Sequence, residues 1–246
     1  MKKNQSNAVY LFLGLLGLML AWAVAASAVD NSLVIPSVGA VFSELIKALS
    51  EAGTYLIILN TVSRLLLVIA ICFILAFVLA ILSFLFKPVE YVLKPLFVTL
   101  RTLPIVAVII VLLLMFGNAS SPLFVTGFVV FPILYEMFLL SFRVIDPNIK
   151  DEIRMVGGNN FYGIRKIYLP LSFSHALAAL VQSLGLGLKV MVMAEYIAQP
   201  KDTIGYAMVQ GIISLDTANV FAWAILLIVL VIISEILIKK IKISTE

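Results

Sequence analysis

Three ionisable side chains lie inside otherwise apolar runs: Glu136, Lys189 and Glu195. A charge at the centre of a bilayer costs about 2.5–3.5 kcal/mol on insertion scales, so such groups face a cavity or a partner and mark ion or solute pathways. Glu136 is expected to face the interior of a helix bundle. An ammonium at Lys189 either attracts an anion or pairs with a carboxylate such as Glu136, and pairing carries more weight. Glu195 is placed near the end of its helix, at an interface. His175 follows Pro170 closely and is assigned no proton relay, while Glu235 and Lys239, four apart, are expected to pair on a helix surface.

Other chemistries find no support. With one histidine and one cysteine, Cys72, the usual zinc sets and an internal disulfide are excluded. A Ser-His-Asp arrangement would have to form around His175 inside an apolar helix. No Gly-x-x-x-x-Gly-Lys-Ser/Thr phosphate loop is present; Gly187-Leu188-Lys189 lacks the upstream glycine spacing. The aromatic residues lie mostly in apolar runs, which argues against a base-stacking surface and against nucleic acid as a partner.

The elements that position these residues follow from composition. The 246 residues are 63% hydrophobic and 12% charged, against roughly 45–50% and about 25% in soluble domains. The chain is therefore expected to be an all-α integral membrane protein: one membrane domain over 1–246 with about six transmembrane helices, near 9–29, 65–85, 100–116, 123–142, 171–197 and 220–238. Each is judged against the roughly 20 helical residues that cross a hydrocarbon core of about 30 Å. Ala26-Ser27-Ala28 resembles a cleavage site, but the apolar run before it favours an uncleaved anchor. Arg64 is expected to snorkel at an interface, Pro104 to kink a span that starts earlier, and 117–122 to form a turn.

Basic residues set the orientation. With both termini inside, the inner segments carry Lys2, Lys3, Lys87, Lys94, Arg101, Arg143, Lys150, Arg154, Arg165, Lys166, Lys239, Lys240 and Lys242. Only Lys47, Arg64 and Lys201 fall outside, a strong positive-inside bias.

The longest polar interval between apolar runs is Asp151 to Pro170. Asp146 can cap a helix, Pro147 suits its first position, and Ile149, Ile153 and Val156 fall on one side. Gly157 and Gly158 stop that helix, and Asn159 or Asn160 can cap a second short one bearing Phe161, Ile164 and Ile167. Two amphipathic pieces at a glycine hinge make a knob whose apolar ridge suits a partner's groove.

This stretch resembles the cytoplasmic coupling loop of the inner-membrane permeases of binding-protein-dependent ABC importers. Asp151, Glu152 and Ile153 stand where that family carries Glu-Ala-Ala, Gly157 stands on its glycine, and Ile167, Leu169 and Pro170 complete the pattern in register. The triplet departs in residue type while its spacing agrees. Ile35-Pro36-Ser37, Ser63-Arg64, Leu100-Arg101-Thr102-Leu103-Pro104, Phe116-Gly117, Phe131-Pro132-Ile133, Ala194-Glu195 and Ile204-Gly205 follow the order seen in permeases of the nitrate, sulfonate and taurine type, whose relatives also import thiamine precursors.

The resemblance implies a type I importer permease fold with a cytoplasmic coupling helix, and a non-enzymatic chain that binds no cofactor, ATP and magnesium being used by a separate ATPase. It implies a prokaryotic inner-membrane location, an external substrate-binding protein, a homodimer, and a cargo that is a small anion or a vitamin precursor. Within the loop over 146–170, Ile149, Ile153 and Val156 would enter the ATPase groove, with Gly157 as hinge and Pro170 as rigid join. Asp151 and Glu152 would meet basic residues on the rim. Glu136, Lys189 and Glu195 are the candidates for the substrate path. An ion-coupled secondary transporter or channel remains the alternative on composition and topology alone.

Overall fold

The computed structural model describes residues 2–143 and 169–243, and every regular element among them is an α-helix. In chain order these are α1 (Lys2–Val29), α2 (Val38–Ser50), α3 (Ala52–Leu85), α4 (Lys87–Thr102), α5 (Ile105–Arg143), α6 (Leu169–Ala198), α7 (Ile204–Ile213) and α8 (Thr217–Ile243). Four are long and apolar enough to cross a membrane: Ala52–Leu85, Ile105–Arg143, Ala176–Ala198 and Thr217–Ile236. Leu13–Val29 is a shorter apolar helix. The coupling-loop residues Ile149, Asp151, Glu152, Ile153, Val156, Gly157 and Ile167 lie outside the described residues, whereas Leu169 and Pro170 begin α6.

Local chemistry explains the boundaries. The hydroxyl of Ser37 accepts from the amide of Ala40 at 3.2 Å and so satisfies one of the four free N–H groups that start α2. Pro88 sits in the first turn of α4, where its missing N–H costs nothing. Leu103 is extended at φ −65°, ψ 133°, as a residue ahead of proline prefers. Pro104 therefore breaks the chain between α4 and α5, and the expected kinked span across 100–116 is replaced by two separate helices.

Helix α5 doubles back at Gly117, whose φ of 73° and ψ of 179° suit a residue without a Cβ. Ile109 and Leu112 share a buried cluster with Val125, and Phe116 stacks on Phe124 with ring centroids 4.2 Å apart. In a straight helix Ile109 and Val125 would stand about 24 Å apart at 1.5 Å per residue. The arms 105–116 and 118–143 thus form an antiparallel hairpin. The turn is tighter than the composition of 117–122 suggests: Asn118 to Pro122 are already helical.

The core lies between α3, the second arm of α5 and α6. Phe138 packs edge-on against Phe73 at 4.9 Å and Phe77 at 5.5 Å, and Phe77 and Phe84 both meet Phe142. From α4, Phe97 stacks on Tyr135 at 4.2 Å. Lipid is as apolar as these side chains, so close packing rather than hydrophobic exclusion must hold the helices together. Small residues permit it. Ala76 and Ala80 are fully buried, and a Cβ on Gly187 would meet Leu65 at 3.0 Å and Val130 at 3.1 Å. At the other side of the bundle, Trp22 of α1 stacks on Phe221 of α8 and donates to the carbonyl of Pro36 at 3.1 Å.

Candidate functional site

Polar groups gather at both ends of this bundle. At the end where α4 begins and the second arm of α5 stops, a groove of about 640 Å³ is lined by Glu90, Lys94, Phe97, Arg101, Tyr135, Glu136, Arg143 and Gln182, among others. Two ion pairs bridge it, Arg143 with Glu90 and Arg101 with Glu136. Lys94 and Arg101 are seven apart on α4 and so share a face of that helix, as do Glu136 and Arg143 on α5. The Nη2 of Arg101 that faces Glu136 also donates to the carbonyl of Pro132 at 3.5 Å. The Arg-Thr-Leu-Pro segment and the Phe-Pro-Ile segment, far apart in sequence, therefore meet here.

From α6, Gln182 reaches the groove as part of an exposed row on that helix. Ala178, Gln182, Leu186 and Lys189 are exposed and recur at three- and four-residue spacing, which places them on one face. Glu136 and Gln182 line the same groove, and Lys189 stands about 10 Å further along the helix than Gln182 at 1.5 Å per residue. Two expectations are corrected. The side chain of Glu136 is 46% exposed instead of facing the interior, because Arg101 draws it to the surface of the groove. Lys189 does not pair with it. Among the described residues no carboxylate lies within ion-pair distance of Lys189.

At the opposite end, Glu195 is fully buried rather than interfacial. Its Oε2 accepts from the hydroxyl of Thr61 at 2.9 Å and faces the amide of Gly205 at 3.5 Å. Its Oε1 stands 3.8 Å from Nε of Arg64. Thr61 has a second role: its oxygen accepts from the amide of Ile204 at 3.0 Å. The carboxylate thus sits against the first amides of α7, where the positive end of the helix dipole favours negative charge.

The approach is close because residue 205 is glycine. A Cβ there would lie 2.3 Å from the amide nitrogen of Tyr196 and 2.5 Å from the carbonyl carbon of Glu195. Arg64 does not snorkel outward as expected; its guanidinium donates to the carbonyl of Ala119, beside the α5 turn, and faces Glu195. A buried carboxylate and a carbonyl near a helix turn offer it partners within the protein. Ser63-Arg64, Ala194-Glu195 and Ile204-Gly205 converge on this one node, a contact that sequence spacing could not reveal because Thr61 and Glu195 are 134 residues apart.

The connection from α6 to α7 is shaped by two left-handed residues, Gln199 at φ 54° and Asp202 at φ 58°. It is pinned by Thr203, whose hydroxyl donates to the carbonyl of Pro200 at 2.8 Å and accepts from the amide of Tyr206 at 3.3 Å. Asn60 of α3 donates to the carbonyl of Asp202 at 3.1 Å. Neither polar end has the makings of a metal centre: among the described residues no three His, Cys, Asp or Glu side chains are grouped as ligands.

Residues 72–242, more than half of the chain, match the family model described as "Binding-protein-dependent transport system inner membrane component". No curated protein matches the chain.

Proposed function

Because the chain belongs to the family of binding-protein-dependent transport system inner membrane components, we propose that it forms the solute path of an ABC importer together with a second copy of itself. The observation that carries this reading is the exposed row of Glu136, Gln182 and Lys189 on the α5 and α6 face. Polar and charged groups on a span are costly toward lipid and are tolerated toward a water-filled path. A second copy related by a two-fold axis would cover the same face and enclose that path between the two rows. Counting α1, α3, the two arms of α5, α6 and α8 as crossings makes about six spans, with the termini and the groove around Arg143 on the cytoplasmic side, as the basic residues favour.

The segment 146–170 then joins two tightly packed spans at their cytoplasmic end. Its register with the importer coupling loop supports the assignment of Ile149, Ile153 and Val156 to a groove on a separate ATPase. Gly157 is the hinge, Asp151 and Glu152 meet the groove rim, and Ile167, Leu169 and Pro170 carry motion into α6. Coupling needs the loop to bind two ATPase arrangements with different affinity, by about 1–3 kcal/mol in typical allosteric systems. An external binding protein delivers the cargo, a small anion or a vitamin precursor; the ammonium of Lys189 leans toward the anion. Glu195, also a path candidate from sequence, is read here as a structural neighbour of the path, since its carboxylate is buried among Thr61, Arg64 and Gly205.

The test is an affinity purification of the tagged protein from native membranes in mild detergent, with co-purifying subunits identified by mass. An ATPase is expected to remain bound. If none is recovered, and cross-linking in intact membranes captures none, the coupling assignment is wrong and transport driven by an ion gradient becomes the reading to examine.

A further inference from the structure

The node around Glu195 is not used by the path, and its construction is unusual for a mere staple. A buried ion pair is weak evidence of stability, because desolvation offsets the attraction and an apolar replacement often does as well. Here the pair is also incomplete: Nε of Arg64 and Oε1 of Glu195 are both buried, and neither has a hydrogen-bond partner, though they stand only 3.8 Å apart. Beside its own Thr203 cap, the start of α7 is tied to α3 and α6 at this point. The amides of Ile204 and Gly205 reach Thr61 and Glu195 respectively. On the other side Arg64 reports the position of the α5 turn through the carbonyl of Ala119. One network therefore reads α3, α5, α6 and α7 together.

The mechanical parts beside it suit movement. Gly205 rests directly on α6, against the backbone at Glu195 and Tyr196 and the Cβ of Glu195, so residue 205 brings no side chain of its own to interlock there and α7 can pivot about it. The linker next to it contains two non-glycine residues in the left-handed region, Gln199 and Asp202, each a local strain that a change in α7 could relieve. Helix α7 packs against α3, α6 and α8, at the end opposite the Arg143 groove.

We propose that Glu195 is a positioning residue of the transport cycle. Through Thr61, Arg64 and the first amides of α7 it sets the docked position of α7 beside the external end of the path, and that docking is broken and remade in each cycle. The proposal rests on the importer reading above. It concerns a different element from the coupling loop, so the two can fail separately.

The experiment uses the permease bound to its ATPase in proteoliposomes, with Cys72 replaced by alanine and Leu186→Cys as the reporter, since Leu186 is exposed on the path face. Labelling by a membrane-impermeant thiol reagent from the external side is followed with and without Mg-ATP and vanadate. Asn60→Cys and Asp202→Cys, whose parent residues are in contact, are then joined by a short reversible cross-linker. Before joining, nucleotide is expected to change the labelling rate about tenfold. After joining, the rate stays at its resting value, and reduction restores the response. Glu195→Gln keeps an acceptor for Thr61 but removes the charge facing Arg64, and is expected to raise resting labelling severalfold at unchanged protein yield.

A cross-linked protein that responds to nucleotide like the unlinked one overturns the proposal and leaves the importer reading intact. An unlinked complex that shows no nucleotide response at all removes both. If Glu195→Gln does not accumulate, the cross-linking arm still decides.

Discussion

Replacing Gly205 with alanine tests whether backbone contact between α6 and α7 organises the end of the bundle opposite the Arg143 groove. The added Cβ would lie 2.3 Å from the amide nitrogen of Tyr196 and 2.5 Å from both the carbonyl carbon and the Cβ of Glu195. Two of those atoms belong to the hydrogen-bonded backbone of α6 and cannot yield alone, so α7 must lift. Lifting lengthens the bond from Ile204 to Thr61, now 3.0 Å, and parts the amide of residue 205 from Glu195. Overpacking costs about 1–3 kcal/mol, and a weakened hydrogen bond to a charged group adds about 1.5 kcal/mol at the low end of its range. Alanine returns about 0.5–1 kcal/mol through its better helix propensity, which leaves a net loss of about 1.5–4 kcal/mol. At roughly 2–4 °C per kcal/mol for a chain of this size, the detergent-solubilised protein should melt about 3–16 °C lower. Gly39 supplies the control, since a Cβ there meets nothing within 4 Å; Gly39→Ala should be neutral or raise stability by up to about 1 kcal/mol. A Gly205→Ala protein that melts within about 1 °C of the parent would refute the argument from close approach.

Other consequences are equally direct. Tyr135→Phe removes the donor to Ser83, a buried bond of 2.8 Å, and should destabilise by about 1–3 kcal/mol through the unsatisfied hydroxyl, seen as a lower melting temperature with no change in ATPase recovery. Leu114 and Phe116 lie on the exposed tip of the α5 hairpin, so cysteines there should label with membrane-impermeant reagent in cells, whereas one at fully buried Ile109 should not. Lys189→Cys should form a cross-link between two copies in native membranes if the α6 faces oppose each other, and a monomer-only pattern would argue against the shared path. Gly157→Trp should lower recovery of the ATPase at least about tenfold in the affinity purification while leaving the melting temperature of the permease alone nearly unchanged.

Much of the architecture was legible in the chain itself. A run such as Ala52–Leu85 has no polar alternative to membrane insertion, and the cost of unpaired backbone in lipid makes it helical. Ser37, Pro88 and the Leu103-Pro104 pair mark boundaries because capping and proline geometry act within a turn of the residue concerned. Gly117 likewise sits where the chain reverses, although composition alone spread that turn over several more residues. The family was legible too, through the spacing of Gly157, Ile167, Leu169 and Pro170 after Asp151, and the match over 72–242 agrees with it.

What the sequence did not determine was the side of each helix that meets lipid, protein or water. In a soluble helix the apolar stripe points to the core, but α3 over 65–82 is apolar all round and carries no such pointer. Partners of the ionisable groups were hidden for the same reason. Glu136 was as free to meet Lys189 as Arg101 until α4 was packed beside α5, and Arg64 was as free to reach the interface as Glu195. Ion pairs and hydrogen bonds decay within a few ångströms, so they are decided by which helices touch. Touching depends on small-residue approach at Ala76, Ala80, Gly187 and Gly205. The chain alone specified the helices and the cost of each buried charge; only the packed bundle decided which neighbour would bear it.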